Sequence, residues 1–138
     1  MANVISNRCL TLMAEGSINL ETDTIRVALM TSSYTEDKDT NTFDNTNEVS
    51  GTGYTAGGAT LANSTVTQDD TNDRAIWDAD DVQWTSSTIT ARYAVVYDVT
   101  ASDTILLVVD FGSDESSSDD SFTIQWNAVG IAAFAQSA

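Results

Sequence analysis

Two runs, Ile89–Tyr97 and Ile105–Val109, constrain this chain more than any other feature. Both are rich in β-branched or aromatic residues, and their apolar side chains fall on both alternate sets of positions. Side chains of a strand point alternately to the two faces of a sheet, so such runs need cover on both faces. They predict central strands. Further segments with strand patterning are Thr24–Ser33, Ala59–Thr67, Arg74–Asp78, Val82–Ser86, Thr88–Asp98, Thr104–Phe111, Ser121–Trp126 and Gly130–Ala135. Many short strands separated by Asp, Ser, Thr, Asn and Gly turns predict a mainly β fold. The expectation is a single domain over residues 1–138, a β-sandwich of jelly-roll type with its strands over 24–136.

One helix precedes the strands. Ile5, Cys9, Leu12 and Met13 recur at helical spacing, which predicts a helix over Val4–Glu15 within a 1–20 helix-and-turn unit. Asn3 is placed to cap its start, and Gly16 stands where a C-terminal cap belongs. Three polar stretches, Thr35–Asn47, Gln68–Asp73 and Ser113–Asp120, read as exposed loops. The last, SDESSSDD, predicts a solvated hairpin tip. Proline is absent from the whole sequence, so edge strands need protection by charge, twist or a partner chain.

Acidic residues number 21 against 5 basic ones, a formal net charge of −16, with no histidine. A field of that sign repels phosphates, which predicts no nucleic-acid partner and no anionic membrane surface. Cys9 is the only cysteine, in an apolar helical context, and reads as a buried structural thiol. The first residues have neither a basic lead nor a long apolar run, which predicts no secretory signal. The longest strongly apolar run, Ile105–Val109, is far too short to span a bilayer.

Four of the seven glycines lie in SGTGYTAGG. Dinucleotide loops need G-x-G-x-x-G followed by a helix, but Gly51 and Gly53 are followed by Gly57 one residue late, and then by a strand pattern. A P-loop needs a lysine that is missing here. The stretch is expected to be a turn that presents Tyr54 and allows close backbone approach. Asp37, Asp39, Asn41 and Glu48 match four ligand positions of a calcium loop, although Thr42 stands where the sharp turn wants glycine. They form the one metal-ion candidate, and no other cofactor is expected. Asp69 with Asp70, and Asp78 with Asp80 and Asp81, offer paired carboxylates of the kind glycoside hydrolysis uses, beside Trp77 and Trp84 as stacking platforms. Solvated turns next to core tryptophans are the plainer reading. Without histidine or a G-x-S-x-G elbow, nucleophilic catalysis lacks its usual parts, and the chain is expected not to be an enzyme.

Four stretches carry a family resemblance: MANVISN, DTIRVALMTSSYTEDKDT, NEVSGTGYTAGGATLANSTVTQDDTNDRAIWDADDVQWTSSTITARYAVVYD and DFGSDESSSDDSFTIQWNAVGI. Together they resemble small structural proteins of tailed bacteriophages and prophages, most strongly between Asn47 and Asp98. The resemblance implies a role and no active site. It points to a capsid decoration or cement protein that binds the major capsid protein and itself, as a trimer or dimer. Such a protein is made in the host cytoplasm and resides on the virion surface. Ile5, Leu12, Gly51, Gly53, Tyr54, Ile131 and Phe134 are the candidate contact residues, because such interfaces use apolar anchors with polar rims. The alternatives are a tail or fibre-associated component, or a carbohydrate-binding module using exposed Trp77, Trp84 or Trp126, with or without calcium.

Overall fold

The computed structural model describes residues 2–135, so the last position of the expected 24–136 strand region lies outside the described residues. The chain folds into two antiparallel sheets and one short helix, as a β-sandwich requires. In chain order the elements are β1 (Ala2–Ile5), α1 (Asn7–Ala14), β2 (Ile25–Met30), β3 (Ala59–Thr60), β4 (Thr65–Asp69), β5 (Arg74–Asp78), β6 (Val82–Asp98), β7 (Thr104–Ile124) and β8 (Ala132–Ala135). The larger sheet runs β1-β7-β6-β2-β3, and the smaller runs β4-β5-β8.

The two apolar runs lie in the neighbouring strands β6 and β7, at the centre of the larger sheet. Both faces are covered there. One face meets the main core, where Val27, Leu29, Val96, Leu107 and Val109 join Trp77, Trp84 and Trp126. On the other face Met30, Val95, Tyr97, Ile105 and Val108 form a second cluster. Its roof is the segment expected to be an exposed loop, Thr35–Asn47, with Tyr34 just before it: Phe43 stacks on Tyr97 at 4.2 Å between ring centroids, and Tyr34 meets Tyr93 edge-on at 5.6 Å. Backbone bonds from Ile105 to Asn41 and from Phe43 to Asp103 hold this roof down.

β6 merges two expected strands, Val82–Ser86 and Thr88–Asp98, and the sequence shows why they looked separate. Buried positions are even at Val82 and Trp84, odd at Ser87, Ile89 and Ala91, and even again at Ala94 and Val96. Each change of parity coincides with a break in the β6–β7 register, at Trp84/Ser87 and Ala91/Tyr93. Ser86 has φ of 48°, the signature of a bulge residue. A bulge shifts the side-chain alternation by one without ending the strand.

β7 corrects the hairpin-tip expectation. Ser113–Asp120 is strand, with Ser117 opposite Ile89, Ser116 opposite Thr90 and Glu115 opposite Ala91. Ala59–Thr67 is corrected as well, since it divides into β3 and β4, which belong to different sheets. Asn63, at φ of 56°, stands in the bend between them.

The N-terminal expectation also changes. Residues 2–5 are not helical; Ile5 lies in β1, paired with Leu107. Ser6, not Asn3, caps the helix: its Oγ accepts the amide of Cys9 at 3.0 Å and donates to the carbonyl of Ile105. A cap bonded to the sheet fixes α1 against β7, and Cys9 faces inward at 2% exposure. Burial first, and the charge of Asp98 second, push its thiol pKa up to about 11, as expected of an inert structural thiol.

Candidate interaction surface

The glycine loop is sewn to its own fold. Tyr54 is half-buried; its hydroxyl donates to Oε1 of Glu48 at 2.6 Å and accepts the amide of Leu29 at 3.0 Å. The same Glu48 oxygen accepts the amide of Gly57 at 2.6 Å. Arg26 donates to the carbonyls of Gly57 and Gly58, and Tyr97 donates to Gly57. The backbone approach expected here is made within the chain. A Cβ at Gly51 would stand 2.3 Å from the carbonyl oxygen of Thr88, and one at Gly58 would stand 1.8 Å from that of Val27. A Cβ at Gly53 would stand 2.9 Å from the Cα of Ser87. Tyr54 is therefore a strut between β2 and Glu48 rather than an outward anchor.

The four calcium-loop candidates are engaged separately. Asp37 accepts the amide of Asp39, Asp39 accepts from the side chain of Asn7, and the Asn41 carbonyl serves Ile105. Glu48 faces Tyr54 and Gly57. Among the described residues no group of three His, Cys, Asp or Glu side chains converges as a metal site.

The stacking platforms are inside the protein. Trp77, Trp84 and Trp126 are 1%, 6% and 6% exposed, which removes the exposed tryptophans that the carbohydrate-binding alternative needs. The indole of Trp77 donates to Ser64 and that of Trp126 to the carbonyl of Asp80. Neighbouring carboxylates organise turns. Asp69 takes Asn72 and Arg74, and these bonds hold its carboxyl below the usual range, Asn72 contributing most. Asp70 accepts from Gln68, Asp80 from Asn63, and Asp81 from the amide of Trp126.

Of the remaining candidate contacts, Ile131 is buried at 3% exposure, and Ile5, Leu12 and Phe134 are half-buried at the edge of the main core. Ile5 lies in β1 of the larger sheet and Leu12 in α1, whereas Phe134 lies in β8 of the smaller sheet.

A different feature stands out. β1 pairs with β7 only from Leu107 to Asp110. Beyond Asp110, among the described residues, no strand pairs with that side of β7, which leaves the edge open to Ile124. Along it run the exposed acids Asp114, Glu115, Asp119 and Asp120. A groove of about 390 Å³ lies there, bounded by Phe111, Glu115, Ser116 and residues 121–125. The expectation of a loop hid this edge. One signal was available: Ser113–Asp120 holds no glycine, asparagine or proline, the residues a tight hairpin tip favours.

Comparison with family models, with curated proteins and with solved structures gives no match for this chain.

Proposed function

We propose that this protein is a non-enzymatic structural component of a tailed-phage particle, a decoration protein that binds the lattice of the major capsid protein and stabilises the head. The observation that carries the proposal is a division of labour in the surface. The large aromatic side chains are spent on two internal cores, and what faces outward is acidic and includes a long open strand edge. A chain that works by adding contact area to an assembly needs a rigid interior and an exposed, pairable border, and this one has both. The resemblance of its segments to phage structural proteins supports the same reading. Its acidic surface keeps crowded copies apart from one another and from packaged DNA.

The test is binding to heads. Purified protein is mixed with expanded heads and with unexpanded precursors, and bound protein is separated by sedimentation. Saturable binding to expanded heads alone is expected, with loss of the gene product lowering particle survival in heat or chelator. Unchanged particle survival would count against the reading, and recovery with tails would move the protein to the tail.

A further inference from the structure

The groove beside β7 is formed by a strand edge rather than by a nest of side chains. Residues 121–125 point alternately to the two faces of the sheet, yet all five line the groove. Only the edge of a strand presents consecutive residues of both orientations. Phe111 and Phe122 sit at opposite ends of the outer half of β7, yet their rings are 6.1 Å apart, so the strand curls around the groove. Phe111, Phe122 and Ile124 line it together with polar residues that include Glu115.

We propose that this edge accepts an added strand from another protein, and that the added strand alternates apolar residues with lysine or arginine. Backbone pairing along an open edge supplies affinity, while side-chain chemistry supplies selection. The phenyl ring of Phe111 and the carboxylates of the edge call for apolar and cationic side chains respectively. A second copy of this chain is the wrong occupant. Self-pairing would set Asp114, Glu115, Asp119 and Asp120 of two copies against each other, and like charges across a sheet are destabilising. Nor does the chain own a basic strand to donate. Of its five cationic side chains, Arg26 is held by Gly57 and Gly58, Arg74 by Asp69 and Arg92 by Asp110. Arg8 lies in α1, and Lys38 lies in the roof segment. The proposal rests on the capsid-binding reading only for the source of the strand, which would then be an extended arm or loop of the shell protein.

The experiment titrates the isotope-labelled full chain with a short blocked peptide in which lysine alternates with valine, followed by amide resonances. Shifts concentrated at 111–125 are expected, with affinity about tenfold weaker for Glu115→Lys and lost when the peptide amides are N-methylated. The exposed position of Glu115 lets that variant fold, and its unchanged melting is checked alongside. Shifts spread evenly over the acidic surface, or equal binding by a proline-interrupted peptide of the same charge, would overturn the proposal. Sedimentation with expanded heads separates it from the broader reading. If wild type and Glu115→Lys bind heads equally, this edge is not the contact and the capsid reading stands. If neither binds heads but the peptide binds wild type, the capsid reading falls and the strand-addition site stands.

Discussion

Tyr54 and Glu48 share a hydrogen bond of 2.6 Å in which the phenol donates and the carboxylate accepts. Because the same hydroxyl accepts the amide of Leu29, Tyr54 links a loop carboxylate to a central strand. Tyr54→Phe leaves the Leu29 amide without an acceptor in a half-buried site. A loss of about 1–3 kcal/mol in urea unfolding is expected. Burial first, then the bond to Glu48, raises the pKa of this phenol, so alkaline titration of the folded protein should leave it un-ionised well above the ordinary phenol range.

Two glycines with the same backbone sign separate strain from collision. Gly58 (φ +78°) faces the Val27 carbonyl at 1.8 Å from where a Cβ would sit, while Gly112 (φ +87°) has nothing within 4 Å. Gly112→Ala should lower stability by about 1–2 kcal/mol, the strain of a left-handed residue alone. Gly58→Ala adds a backbone clash that parts β3 from β2, and should lose more than twice as much or fail to fold. Equal losses in thermal melts would refute the close approach.

Asp98 makes stability depend on pH in an unusual direction. It is fully buried; one carboxylate oxygen accepts the amide of Ala101, and the other has no donor. Burial and the adjacent carboxyl of Asp23 raise its pKa from 3.8 to about 6. A raised carboxyl pKa means the native state holds a proton that the unfolded chain releases, so this stabilisation is complete below about pH 4 and lost as pH rises through 6. Wild type should therefore gain stability from pH 7 to 5. Asp98→Asn, which keeps the acceptor for Ala101, should be more stable at pH 7 and lack this part of the pH dependence. A variant that tracks wild type across the range would reject the assignment.

The net charge of −16 predicts a response to salt as well. Only two ion pairs are formed among the described residues, Arg74–Asp69 and Arg92–Asp110, both partly exposed and worth little. Repulsion among the remaining carboxylates dominates, and sodium chloride screens it. The melting temperature should rise from low to physiological salt. A fall would mean that the two ion pairs outweigh the repulsion.

The β class and the central position of Ile89–Tyr97 and Ile105–Val109 were legible because burial on both faces leaves a direct mark on sequence. Arg74–Asp78 could be delimited at both ends, since turn residues flank it. The spacing of Ile5 with Cys9 and Leu12 points to a helix, and only the pairing of Val4 and Ile5 with Val108 and Leu107, distant in sequence, makes them strand. Ser113–Asp120 was misread for the opposite reason. Its composition favours turns, and pairing with β6 overrides local preference. The glycine turn and the buried thiol followed from residue chemistry. The open edge of β7 did not, because an edge is defined by a neighbour that is missing.

The pairing of β1 with β7 sets an order on the birth of the molecule. β1 leaves the ribosome ahead of the other described strands, its partner Leu107–Asp110 follows only after β2 to β6, and Asn3 waits longer still for the carbonyl of Ile131. β6 and β7 are neighbours along the chain and can zip as soon as both emerge, since local closure is fast. β1 therefore waits unpaired while the strands between are made, and a later segment of the chain is what fastens an earlier one.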